Sequence, residues 1–228
     1  MNKKPSILLV AATSMELQLL EEQLTATQKE GNLTRGRLGD EPVVLLPTGI
    51  GIVNTAFSLG KLLATHSFQC AVNLGIAGAY DMSLKLGEVV EVHSDSFTDM
   101  GADSPTGFLS LEEIGFPVLA TKEKAYIHTL ENPYPSLSSL KQVQGATVNT
   151  VSGQAEKIAL HKRQWNKQVE SMEGAAFFHA MLQTDIPFYA FRAISNYVTA
   201  RDTSSWDIPM AVKKAQLFVL NFVKEALQ

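Results

Sequence analysis

Four stretches of this chain are nearly free of charge and are the length of strands: ILLVAAT (7–13), EPVVLLPT (41–48), QCAVNLG (69–75) and IPFYAFRAIS (186–195). An apolar run that does not alternate with polar residues belongs to a strand covered on both faces, which is the situation in a parallel sheet with helices above and below. Segments with helical periodicity separate these runs. SMELQLLEEQL places Leu17, Leu20 and Leu24 on one side, and a second helix is expected from about Val53 to Thr65. SMEGAAFFHAML (171–182) and WDIPMAVKKAQLFVLNFVKEAL (206–227) read as the later helices. GEVVEVHSDSF (87–97) and GATVNTVSG (145–153) add strands, and NLTRGRLG with EPVVLLPT forms a hairpin around Gly39-Asp40. Residues 100–118, rich in Gly, Pro, Ser and Asp, read as an irregular loop. No repeat or linker divides the chain, so 1–228 is expected to be one α/β domain. The expected architecture is a three-layer sandwich around a mixed, mostly parallel central sheet.

Composition excludes several classes. Net charge is −4 and there are five arginines, Arg35, Arg37, Arg163, Arg192 and Arg201, which form no basic stripe. Nucleic acid and anionic membrane surfaces are therefore not expected partners. No run of 18 apolar residues predicts a membrane span. MNKKPSILLVAAT passes directly into an acidic amphipathic segment, so it reads as a first core strand and not as an export signal. A single cysteine, Cys70, fits a reducing cytoplasm.

In open α/β sheets ligands bind beyond the carboxyl ends of the strands, and unusual residues gather there. Two glycine-containing turns are expected, Thr48-Gly49-Ile50-Gly51 and Gly75-Ile76-Ala77-Gly78. They read either as tight strand-to-helix turns or as backbone cradles for a polar ligand. Neither fits a dinucleotide or Walker motif, because Asn54 stands at the third glycine position and no lysine follows. Glu16 completes a capping box with Thr13, and it is equally placed to be a general base. Glu173 opens a helix beside Gly174, Ala175 and Ala176, where a carboxylate could accept from two hydroxyls of a ribose. Arg192 lies inside a core strand, so it needs an anionic partner, either a structural one or Glu16 or Glu173 across the site. Asn196 just beyond either caps a turn or offers a donor and an acceptor to a planar heterocycle. Glu91, His93 and Asp95 alternate along one strand. They read as a wet sheet face, and no metal site or cofactor is expected.

With these residues in view, the chain resembles the nucleoside phosphorylase and nucleoside hydrolase superfamily, especially the methylthioadenosine/adenosylhomocysteine nucleosidases. Within it, the chain is most similar to the futalosine hydrolase branch of the menaquinone pathway. The resemblance rests on Ala11-Ala12 with Glu16, TGIG, NLGIAGA, VSG, SMEGAA, RAISN and the segment from Arg201-Asp202 to Trp206. It implies a phosphorylase/hydrolase-like fold and a nucleoside as the small-molecule partner. Glu16 then matches the water-activating carboxylate, and Glu173 the residue holding the ribose hydroxyls, with Met172 under the sugar. Arg192 matches the arginine of the water and acid network. Asn196 stands where adenine-cleaving relatives carry aspartate, and Trp206 where they place an aromatic over the 5′ pocket. Ile50, Ile76 and Gly78 fall among the substrate-binding positions, Ile76 where nucleosidases often have serine. The resemblance also implies a homodimer whose partner closes the 5′ pocket, with 100–118 as the candidate contact.

Phosphate as nucleophile needs several cationic donors. No Lys or Arg occurs in 11–28, 38–60 or 62–84, and phosphorylase relatives carry arginines in the first and third of these regions, so water is favoured. An amide at 196 suits a 6-oxopurine, and Arg201 could meet a carboxylate on the 5′ tail or pair with Asp202. Hydrolysis of futalosine to hypoxanthine is the expectation. A purine nucleoside phosphorylase, a methylthioadenosine nucleosidase and a non-catalytic nucleoside-binding protein are the alternatives.

Overall fold

The computed structural model describes residues 5–227. Strands β1 (Ile7–Ala11), β2 (Thr25–Glu30), β3 (Leu33–Leu38) and β4 (Glu41–Pro47) form the first part, with a short helix α1 (Gln18–Glu22) after β1. Helix α2 (Ile52–Leu63) leads to β5 (Cys70–Ala79) and β6 (Val89–Phe97). Short strands follow: β7 (Gly101–Ser104), β8 (Gly107–Ser110), β9 (Leu119–Ala120), β10 (Ala125–Tyr126) and β11 (Thr129–Glu131). The last part comprises β12 (Gln142–Thr147), α3 (Ala155–Trp165), β13 (Val169–Ser171), α4 (Gly174–Met181), β14 (Phe188–Tyr197) and α5 (Ile208–Glu225).

The sheet is mixed, and its centre, β4–β1–β5–β14, is parallel. β6 pairs with both β12 and β14, and β12 runs through β13 back to β5, so this side of the sheet closes into a ring of five strands. Alternation along β1 shows why its sequence has no polar face. Ile7 and Leu9 pack with Leu20, Val219 and Val223 toward α1 and α5, while Leu8 and Val10 pack with Leu59, Leu62, Phe177 and Phe178 toward α2 and α4. Among the described residues no helix is long and apolar enough to cross a membrane.

Several expectations change. The first helix is a single 3-10 turn, Ser14–Glu16, and five residues of α1. Leu24 falls outside it, because the chain turns into β2, where Ala26 has φ 53°. Every residue of β2 is exposed, so this edge strand carries no apolar signal. Gly75-Ile76-Ala77-Gly78 is not a turn but the continuation of β5. By contrast Gly49 and Gly51, both at φ 92°, do make the turn into α2. Residues 100–118 contain the hairpin β7–β8. β12 ends at Thr147, so 148–153 leaves the sheet, and α3 and β13 follow where neither was expected. Ser171 ends β13, and α4 starts only at Gly174. Glu91 and Asp95 do not lie on a wet face. Both are buried, Glu91 accepting from Ser136 and Ser138 and Asp95 from Thr147 and the backbone of Ser96.

Candidate active site

A cavity of about 280 Å³ opens at the carboxyl ends of β1, β5 and β14. Glu16, Ile50, Ile76, Gly78, Met172, Glu173, Arg192, Asn196 and Trp206 all line it. Arg201 does not. It lines a neighbouring cavity of about 650 Å³ and holds its guanidinium 5.2 Å above the Trp206 ring. Val151 and Ser152 border both spaces. Asp202 makes no pair with Arg201; its carboxylate accepts from the backbone and hydroxyl of Ser204 and so caps the turn 203–205.

The two readings of Glu16 coexist. Oε2 accepts from the Thr13 backbone N–H at 2.9 Å and from its hydroxyl at 2.8 Å, which is the capping arrangement. Oε1 faces the space over Gly75, where a Cβ would lie 3.1 Å from it and 3.8 Å from Arg192 Nε. Glycine at 75 therefore keeps open a gap between a carboxylate and a guanidinium. Burial pushes the Glu16 pKa above the ordinary carboxylate value. The Thr13 hydrogen bonds oppose that shift, the Glu173 charge adds to it, and Arg192 opposes it.

Arg192 forms no direct ion pair among the described residues, contrary to expectation. Its two terminal nitrogens donate to Asn73 Oδ1 at 2.5 Å and to the Phe191 carbonyl at 3.0 Å. Asn73 is held in turn through Nδ2 to the Val10 carbonyl. Burial depresses the Arg192 pKa, and Glu173, Asp95 and Glu16 surround it with compensating negative charge. A neutral amide thus fixes the cation while its Nε side stays on the cavity. Glu173 Oε1 accepts the Gly51 backbone N–H at 2.8 Å.

At Ser195 the pairing of β14 with β5 slips by one residue, and this bulge brings Asn196 into register with Gly78. Asn196 Oδ1 accepts from Ser195 Oγ at 2.7 Å, and one Nδ2 hydrogen goes to the Tyr197 carbonyl at 3.1 Å. An amide nitrogen has two hydrogens, so one remains for the cavity.

Thr13, Asn73, Ser152, Glu170 and Ser195 also line the cavity or its border and were not among the expected site residues. Asn73 had a signal, a lone amide inside the apolar run of β5. Glu170 had none beyond its place just ahead of Met172-Glu173. Arg192 is the one Lys or Arg among the lining residues. Among the described residues no three His, Cys, Asp or Glu side chains are grouped to hold a metal ion.

The chain is 35% identical over 170 residues to a futalosine hydrolase of Thermus thermophilus, covering 72% of this chain and 73% of the other. It is 26% identical over 232 residues to a 5′-methylthioadenosine/S-adenosylhomocysteine nucleosidase of Bacillus thuringiensis, covering 97% and 98%. Its fold matches the crystal structure of the nucleosidase of that name from Colwellia psychrerythraea, solved in complex with adenine. The TM-score there is 0.80 at 22% identity, covering 98% of this chain and 96% of the other. The model of the phosphorylase superfamily matches residues 6–227, and with its strand-end cavity and parallel sheet centre this chain belongs to that superfamily.

Proposed function

We propose that the chain is a nucleosidase that hydrolyses the N-ribosidic bond of futalosine, releasing hypoxanthine and dehypoxanthine futalosine in menaquinone biosynthesis. The observation that carries the reading is the convergence of Glu16 Oε1 and Arg192 Nε on the open side of Gly75, in a cavity with no other Lys or Arg on its wall. A water there sits between a base and a cation, and a phosphate finds too few donors.

N-ribosidic cleavage builds positive charge on the sugar and negative charge on the leaving base. Glu173 grips the ribose hydroxyls and places its charge near the developing cation, with Met172 beneath the ring. Glu16 takes the proton of the attacking water. Ile76 supplies no hydroxyl to that water, so Glu16 and Arg192 hold it. Asn196 donates its free N–H toward N7 or O6 of the departing purine. General acid–base groups of this kind contribute typically ~10² to 10⁴ in rate. Ile50 and Trp206 flank the 5′ side, and the Arg201 guanidinium, which lines the neighbouring cavity and lies over Trp206, meets a carboxylate on the 5′ extension in this reading.

The 35% identity to a futalosine hydrolase supports the substrate, as does the amide at 196. The full-length match to a methylthioadenosine nucleosidase favours adenine release as the second reading. Within the proposal one domain acts in the cytoplasm as a homodimer. Exposed Ile50, Val53 and Phe57 beside the cavity mouth are the apolar surface that supports pairing. Incubation with futalosine, with and without phosphate, tests the reaction type. Equal rates of hypoxanthine release are expected, and a requirement for phosphate would make the enzyme a phosphorylase. An Arg201→Ala variant should lose activity on futalosine more than on inosine; equal losses would remove Arg201 from the tail site.

A further inference from the structure

Gln216, near the middle of α5, is 4% exposed and joins the two ends of the sequence. Its Oε1 accepts the Leu19 backbone N–H at 2.7 Å. Its Nε2 donates to the Met15 carbonyl at 3.3 Å and to the Val212 carbonyl, one turn back on α5, at 3.4 Å. Both hydrogens of the amide nitrogen are thus used. Met15 and Leu19 bracket Glu16 in the chain, so this one buried amide holds the segment that carries the proposed general base at two points.

The local sequence shows why a remote side chain is needed. The 3-10 turn Ser14–Glu16 passes into α1 at Leu17, which is the N-cap of α1 and has no side-chain cap. An N-cap Ser, Thr, Asp or Asn would accept from the N–H of the second or third helical residue. Leu17 cannot, and its side chain is buried with Leu20, Val219 and Val223. Leu19 is the second residue of α1, and Gln216 supplies from α5 the acceptor that Leu17 lacks. The capping box between Thr13 and Glu16 ties the carboxylate to its own turn. Gln216 ties that turn to the body of the protein. α5 also brings Ile208 and Val212 to the cavity wall, and Gln216 lies one turn beyond Val212. One helix therefore sets both a wall of the cavity and the place of Glu16.

We infer that Gln216 is a positioning residue for Glu16: by clamping Met15 and Leu19 it holds the Glu16 carboxylate within reach of the gap over Gly75. Gln216 itself does not line the cavity, so it acts through Glu16. This rests on Glu16 being the general base of the hydrolysis proposed above, and it extends that reading to what holds the carboxylate in place. A displacement of ~1 Å at a catalytic group costs up to ~10²-fold in rate. Loosening the turn should therefore lower kcat and leave binding of the purine, on the Asn196 side, alone.

Gln216→Met keeps the length of the side chain and removes its hydrogen bonds to Met15 and Leu19. Amide hydrogen exchange read by NMR, together with turnover, tests the inference on Gln216→Met, Glu16→Gln and the double variant. The Leu19 amide should exchange at least ~10-fold faster in Gln216→Met than in the unsubstituted protein, with the amides of β1 unchanged. Turnover is measured on whichever of futalosine, inosine and methylthioadenosine the unsubstituted protein cleaves fastest. In Gln216→Met kcat should fall ~10- to 10²-fold, while affinity for the released purine stays within about twofold. In the Glu16→Gln background the same substitution should change kcat by less than about twofold, because its effect runs through Glu16. Equal fold losses in the two backgrounds overturn the inference and make Gln216 a general structural contact. A Leu19 amide that exchanges at the free-chain rate in the unsubstituted protein overturns it without any variant. Parental turnover in Glu16→Gln would fault the assignment of the general base, and this inference with it. Cleavage of inosine or methylthioadenosine in place of futalosine, with the expected non-additivity, would fault the substrate and support the role of Gln216.

Discussion

The backbone N–H of Gly51 lies 2.8 Å from Glu173 Oε1, across 122 positions of sequence. This bond ties the glycine turn after β4 to the residue just ahead of α4, and it leaves the other carboxylate oxygen for a ligand. Glu173→Gln keeps the shape but swaps one acceptor for a donor. Its kcat should fall ~10²-fold or more, and the preference for ribosides over 2′-deoxyribosides should shrink. Steady-state kinetics on inosine and 2′-deoxyinosine measure both. A variant that keeps the full riboside preference would show that Glu173 does not grip the diol.

Glu16 must be ionised to accept a proton, and burial holds its pKa above the ordinary 4.5. Activity therefore rises with pH through a value above 4.5 and is lost below it. Arg192 opposes the shift, so Arg192→Met should move the acid limb of kcat/KM to higher pH. Glu16→Gln should cost ~10² to 10⁴ in kcat while the protein still binds hypoxanthine. An acid limb that does not respond to Arg192→Met would separate the two residues functionally.

Gly75→Ala places a methyl group 3.1 Å from Glu16 Oε1 and 3.8 Å from Arg192 Nε. The methyl group occupies the gap assigned to the nucleophilic water. The expected outcome is a large fall in kcat, ~10²-fold, with little change in base affinity. Unchanged turnover would place the water elsewhere.

Asp95 is fully buried, and desolvation lifts its pKa from 3.8 to about 6, against the opposing hydrogen bond of Thr147 and the charge of Arg192. The folded pKa exceeds the unfolded one. The folded chain thus keeps a proton between pH 3.8 and about 6 that the unfolded chain releases, and stability falls as pH rises through that window. A shift of this size corresponds to on the order of 3 kcal/mol. Asp95→Asn should abolish this component, so its stability relative to the parent should rise from pH 4 to pH 7 in denaturant titrations (about 3 pH units). Parallel curves would refute the assignment.

The strands visible in the sequence are those buried on both faces. β1, β4 and β14 have no polar side, because α1 and α5 cover one face and α2 and α4 the other. β2, exposed at every residue, leaves no such trace. Glu16 and Arg192 were legible because a carboxylate in the first helical turn and a cation in a core strand are each unusual alone. Glu170 was not, since its place on the cavity wall depends on the pairing of β13 with β5 at Gly78. Gly75 and Gly78 were read as turn glycines although both lie in β5. What they provide is room for the side chains that close over them, Glu16 at Gly75 and Asn196 and Val198 at Gly78, and sequence shows glycine without showing what approaches it.

The central claim is tested most directly by competition. Equimolar futalosine and methylthioadenosine are incubated with the protein in phosphate-free buffer, and hypoxanthine and adenine are followed chromatographically. The account predicts release of hypoxanthine, with methylthioadenosine left largely intact. Rapid release of adenine with futalosine untouched would contradict it.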